Sequence, residues 1–316
     1  MRKNVNTEHV EGRVYEHKLE LKLTGPTSKK PGTPYIAGTL DVATDEAGIN
    51  VIPVHFTYVT ETTSKGKKND TFTALKTIIE KGKTILTDGM EDATKVKIDT
   101  ALALNDWFDD QDQLISTKVN EGGFVTIVNE LVEVEAERNK FKADMLITQV
   151  TPVDANPEKN IEAHVALRGA IFNFKNEILP MEFVVKNPAG MKFFEDLGVT
   201  AAEPVYTQVW GRITCETHKS TQTVESAFGD AEVTTRERKI KEWVVTGASK
   251  VPYDFGDDQV MTEDEVKKAS QDRQTMLAEV KKRRDEYKAQ KAAGALATPG
   301  QSAAPSQPVS SGNFGF

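Results

Sequence analysis

The stretch "YIAGTLDVATDEAGINVIPVHFTYVT" (residues 35–60) alternates twice around an acidic turn that contains a glycine. Ile36, Gly38, Leu40 and Val42 share one face of the first segment, and Ile52, Val54, Phe56 and Tyr58 share one face of the second. A period of two marks a half-buried β-strand, so two such segments about a short turn predict an antiparallel hairpin. One face builds a core, and parity puts Phe56 and Tyr58 in it with Ile52 and Val54. The opposite face, with His55, Thr57 and nearby Tyr35, is left for other work.

Outward from the hairpin, "GRVYEHKLELKLT" (12–24) is a further strand, and two basic loops flank the pair: "GPTSKKPGTP" (25–34) and "SKGKKND" (64–70). Asp70 is placed to cap a short helix in which Phe72, Leu75, Ile78 and Ile79 share a face and Gly82 follows the end. "TKVKIDTALAL" (94–104) and "GGFVTIVNELVEV" (122–134) read as two more strands. The order over residues 1–136 is three strands, a helix and two strands. Residues 137–255 repeat it: "DMLITQVTPV", "HVALRGAIFNFKN" and "ILPMEFVVKN", then the helix "AGMKFFEDLG", then "PVYTQVWGRITCET" and "KEWVVTGA". An internal repeat of this kind governs the architecture.

After residue 255 the character changes. Thr262 and Glu265 form a capping box that opens a charged helix over 256–294, with a thin apolar stripe interrupted by Arg273 and Arg283. That seam is too narrow for a coiled coil, so the helix is expected to be solvated and packed against the second repeat. Residues 295–316 hold no charged side chain and are rich in Ala, Ser, Gly, Pro and Gln, a composition expected to stay disordered.

The chain of 316 residues carries a net charge of −8, which taken globally argues against a nucleic-acid partner. The charge is uneven: residues 1–100 hold 15 Lys and Arg against 14 Asp and Glu, whereas 101–200 hold 9 against 17. Screening confines a field to about 10 Å, so a local basic groove still binds phosphates on an acidic chain. A single cysteine, Cys215, excludes an intramolecular disulfide and a cysteine-based zinc cluster. With no long apolar run, the expectation is a soluble protein of a reducing, cytoplasmic compartment without a membrane partner.

Three strands, a helix and two strands is the order of the oligonucleotide-binding barrel, a five-stranded Greek-key fold. The expected class is therefore mainly β: two tandem barrels of this kind (1–136 and 137–255), a C-terminal helix and a disordered tail. The layout resembles single-stranded DNA-binding proteins, especially those of bacteriophages. The segments that carry the resemblance are "EGRVYEHKLELKL", "YIAGTLDV", "VIPVHFTYV", "VYTQVWGRI", "EWVVTGA" and the terminal "GNFGF". It implies a tail whose tip, Phe314 and Phe316, recruits replication or recombination proteins. The tail departs from the bacterial pattern in having no carboxylate side chain before its last Phe.

Single-strand binding needs cations for phosphates and flat rings for bases. The candidate cations are Arg13, Lys22, Lys29, Lys30, Lys65, Lys67 and Lys68 in the first repeat, and Arg168, Lys175 and Arg212 in the second. The candidate rings are Tyr35, Phe172, Phe174 and Trp210; Trp107 lies in the acidic turn "NDWFDDQDQ" and is expected at the core or rim. Enzymatic readings find no support in motifs. The five histidines lack metal-ligand spacing, Cys215 has no nucleophile context, and neither a phosphate loop nor a G-x-S-x-G elbow is present. The expected function is sequence-tolerant binding and protection of single-stranded DNA in phage replication or recombination, without catalysis, metal or cofactor. The alternative is a structural or assembly protein of a virion or scaffold.

Overall fold

The computed structural model describes residues 4–26, 28–156, 161–224, 232–257 and 260–296. The tail tip with Phe314 and Phe316 lies outside the described residues. The chain is mainly β. The strands are β1 (Asn6–His17), β2 (Glu20–Leu23), β3 (Pro34–Ala43), β4 (Val51–Thr60), β5 (Lys95–Phe108), β6 (Leu114–Val128), β7 (Asn139–Val153), β8 (His164–Phe172), β9 (Ile178–Val185), β10 (Val205–Val224) and β11 (Glu232–Ala248). Helices α1 (Asp70–Lys81) and α2 (Ile85–Asp88) fall between β4 and β5, α3 (Pro188–Asp196) between β9 and β10, and α4 (Glu263–Leu296) follows β11. None of the described helices is long and apolar enough to cross a membrane.

Among the described residues all eleven strands belong to one sheet, in the order β10-β11-β9-β8-β7-β1-β5-β6-β4-β3-β2. In the first half β1 pairs antiparallel with both β3 and β5, β3 with β4, and β5 with β6. Parallel bridges Val54↔Asn120 and His55↔Glu121 between β4 and β6 complete the circuit. The second half repeats it. There β7 pairs with β8 and β10, β8 with β9, β10 with β11, and β9 meets β11 in parallel at Val184↔Val244. The halves are joined edge to edge where Asn6–Val10 of β1 pairs with Asn139–Ala143 of β7.

Alternation does what the sequence predicts. Ile36, Leu40 and Val42 of β3 and Ile52, Val54 and Phe56 of β4 are buried against Phe72, Leu75 and Ile78 of α1. Met145, Leu167, Phe183, Ile213 and Trp243 continue the same core into the second half. Gly38 sits at a bulge in β3 with φ of 134°, and a Cβ there would lie 2.0 Å from the Lys18 carbonyl oxygen. Only glycine lets the β1–β2 corner cross this close.

Several boundaries differ from expectation. Asn69, not Asp70, caps α1 by accepting from Thr71 N, leaving Asp70 as the first helical residue. β5 and β6 run on as a long hairpin to Phe108 and Leu114, beyond the core, so both faces are wetted and the apolar alternation fades. The capping box of α4 is formed, with Glu265 N donating to Thr262 Oγ1 and Thr262 N to Glu265 Oε2. The root of α4 does pack on the second half, through Val260, Met261 and Val266 against Leu146, Phe172 and Tyr206. Farther along, however, its cations reach the β5–β6 hairpin of the first half.

Candidate nucleic-acid interface

The pairing Tyr35↔Thr60 puts the start of β3 beside the end of β4. The loop that precedes β3 (24–33) and the loop that follows β4 (61–69) therefore leave from the same end of the hairpin. Lys29 and Lys30 stand on the first, Lys65, Lys67 and Lys68 on the second, and all five are exposed. Glu61 is the one carboxylate in either loop. Among the described residues none of the five lysines makes an ion pair. Both loops are built. Thr33 N donates to Thr24 Oγ1 and Thr33 Oγ1 to the Lys30 carbonyl. In the other, Thr63 N reaches the Lys67 carbonyl and Asn69 Nδ2 the Thr60 carbonyl.

A flat ring accompanies these cations, and it is Tyr58 rather than Tyr35. Tyr58 is 45% exposed, Tyr35 only 7%, and their rings lie 4.8 Å apart, so Tyr35 backs its neighbour. Parity puts Tyr58 with Phe56, but β4 has run past the core by then. The opposite face of the hairpin is covered farther along. His55 shares a hydrogen bond with Thr39, and Asn50 bonds the backbone of Ile213 and Cys215 in the second half. Burial, then the nearby Lys241 ammonium, hold the His55 pKa below the usual imidazole value, so it supplies no positive charge at neutral pH.

The corresponding exit of β9 is neutralised. Lys186 is tied to Glu162 at 3.2 Å and Glu242 at 2.8 Å. Burial opposes its charge, but these two carboxylates raise its pKa on balance. The second half presents its candidates elsewhere. Phe174 is 75% exposed on the β8–β9 turn, with the Lys175 ammonium 5.7 Å from its ring centre. Trp210 and Arg212 face outward on β10 and line a shallow groove of about 710 Å³ with His9, Lys140 and Lys142, in which Asp99 and Glu137 supply the opposite charge and Glu137 pairs with Lys140. The indole of Trp210 lies over Gly247, where a Cβ would come within 2.4 Å of its Nε1. Among the described residues neither Lys142, the register partner of Trp210, nor Arg212 makes an ion pair.

The YorF family model matches residues 4–283, which takes in both halves of the sheet and the first part of α4. The chain belongs to the YorF family. No curated protein matches it. Among solved structures, a deletion mutant of the single-stranded DNA binding protein from Thermus aquaticus is similar at 13% identity and a TM-score of 0.46, over 80% of this chain and 97% of that one.

Five expected contact residues are found buried or paired in this YorF chain. Tyr35 is buried behind Tyr58. Phe172 is fully buried with Tyr206, because β8 ends there with its ring turned inward, and the following turn throws Phe174 out instead. Arg13 is 12% exposed and bound to Glu46 at 2.8 Å. Arg168 is bound to Glu182 at 2.6 Å. Lys22 is exposed but sits 3.0 Å from Glu20. Sequence reasoning missed Tyr58 and Lys142, and also Lys140, which is paired with Glu137. The alternation "NKFKADM" marks both lysines as outward, but β7 begins at Asn139, earlier than the apolar run that announces it. Among the described residues no cluster of His, Cys, Asp and Glu is placed to hold a metal.

Proposed function

We propose that this protein binds single-stranded DNA with little regard to sequence, using two oligonucleotide-binding barrels of which the first makes the principal contact. The reading of the two closed strand circuits as barrels rests on the order of the strands within each circuit, three before a helical segment and two after it, with the first and fourth adjacent; in the first half the short β2 lies outside the circuit and two helices stand in the helical segment. The observation that carries the functional reading is the group of five unpaired lysines on two loops at one end of β3 and β4, around the exposed ring of Tyr58. Lysines on ordered loops neutralise phosphates without reading bases, and a tyrosine face stacks on any base for about 1–3 kcal/mol. No bond need be made or broken. Coating of exposed strands in replication or recombination, in a phage context, is the role this chemistry fits. Phe314 and Phe316 are the candidates for recruiting a protein partner.

Fluorescence anisotropy with labelled oligo-dT tests the reading. Single strands bind more tightly than duplex of equal length, and the logarithm of affinity falls with the logarithm of salt by about 0.7 per phosphate contact. Equal affinity for duplex, or no binding at low salt, rejects it. Large ordered oligomers without DNA would favour an assembly protein instead.

A further inference from the structure

We propose that the distal half of α4 is a second surface for single-stranded nucleic acid, held closed by the acidic tip of the β5–β6 hairpin. The proposal rests on the single-strand-binding reading above, and names a regulation of it. The root of the helix is fixed. Val260, Met261 and Val266 pack on the second half, and Arg273 meets Asp106 at 2.9 Å with side chains only 13% and 7% exposed. Beyond Val280 the grip changes in kind. Lys281 lies 3.4 Å from Asp112 and Lys288 3.2 Å from Asp110. Arg284 binds the Asp112 carboxylate and donates to the Asp109 carbonyl at 2.7 Å. Asp112 is 53% exposed and Asp110 99% exposed, so water and salt screen these pairs. Between Lys281 and Ala289 the one large apolar side chain, Tyr287, is itself exposed.

Positions 281, 284 and 288 share one helical face. Lys281 and Arg284 also lie over the ring of Phe108, at 5.9 and 5.7 Å from its centre. What the hairpin offers α4 is thus a row of carboxylates flanking an aromatic ring. A single strand offers the same chemistry: phosphates flanking a base. A flexible polyanion competes for a stripe whose carboxylate partners are exposed, although Arg284 itself is only 16% exposed, whereas the Arg273–Asp106 pair, covered on both sides, keeps the root in place. The occupied stripe accounts for an acidic hairpin beside a cationic helix, each otherwise a liability in a binder of phosphates.

The test compares oligo-dT affinity and its salt dependence in four full-length proteins: wild type, D110N/D112N, K281Q/R284Q/K288Q and the two sets combined. Asn keeps the shape of Asp and tolerates the positive φ of 62° at Asp112, so the hairpin folds. D110N/D112N frees Lys281 and Lys288, while Arg284 keeps Asp285 at 2.8 Å and the Asp109 carbonyl; the variant is expected to bind about fivefold tighter or more, with a salt slope steeper by about 1.4. K281Q/R284Q/K288Q alone changes little, and the combined variant returns to wild-type affinity. The proposal is overturned if D110N/D112N binds no tighter, or if its gain survives in the combined variant, which would mark simple loss of repulsion. Binding by D110N/D112N but not by wild type would sustain the stripe and reject the lysine-loop reading. No binding by any of the four rejects both.

Discussion

Glu8 of β1 accepts a hydrogen bond at 3.1 Å from the indole Nε1 of Trp243 on β11, and so ties the first half to the second inside the core. Its other oxygen accepts from Thr100 Oγ1. The Lys118 and Lys241 ammonium groups lie 4.8 and 4.7 Å from the centre of the same indole ring. Burial raises the Glu8 pKa to about 7, against lowering by its two hydrogen bonds and Lys241.

That raised pKa sets a pH dependence. The folded state holds the Glu8 proton more tightly than the unfolded chain, whose carboxyl titrates near 4.5. The associated stability is present in full below the unfolded value and is lost as pH rises through about 7, a loss on the order of 3 kcal/mol. Glu8→Gln keeps an acceptor for Trp243 and removes the titration. Urea melts at about pH 5 and about pH 8 are expected to differ less for the variant than for wild type, with the variant the more stable at the higher pH.

On the proposed reading the lysine loops contact phosphates, so K65Q/K67Q/K68Q is expected to lower the salt slope of oligo-dT binding by about 2 and to weaken binding about tenfold at low salt. Lys186→Gln, already neutralised by Glu162 and Glu242, leaves both quantities unchanged. Anisotropy titrations across a salt series read both.

Tyr58 and Phe172 separate binding from stability. Tyr58→Ala is expected to weaken oligo-dT binding by about 1–3 kcal/mol with little change in melting. Phe172→Ala empties a fully buried site and costs about 3–5 kcal/mol of folding stability, with no loss of affinity in protein that remains folded. Paired denaturation and binding curves distinguish the two.

Gly247→Ala places a methyl where the Trp210 indole now lies, 2.4 Å from its Nε1. The ring must lift from the strand, which is expected to shift tryptophan emission to longer wavelength. An unchanged spectrum and unchanged affinity would show that Trp210 is not held by this contact.

The fold was legible where apolar alternation was strong. β3, β4, β8 and β9 lie close to where period two puts them, because one face of each is pressed into the core. The β5–β6 hairpin beyond Leu102 was not, since strands wetted on both faces lose the pattern that betrays them. In the site, the loop lysines were readable from local sequence, as turn residues and charge announce an exposed loop. Ring exposure was not. Tyr35, Tyr58, Phe172 and Phe174 are separated by where a strand stops relative to the core, a tertiary property with no local signature. The partners that neutralise Arg13, Arg168 and the cations of α4 are likewise distant in sequence or across strands.

The pairing of β1 with β7 gives the molecule a fixed ruler. Because sheet and core run unbroken from one half into the other, the lysine end of the first and the tryptophan groove beside the seam keep one separation in every copy. Modules strung on a slack linker would accommodate gaps of varying length, whereas this protein is expected to step along a polymer in equal strides.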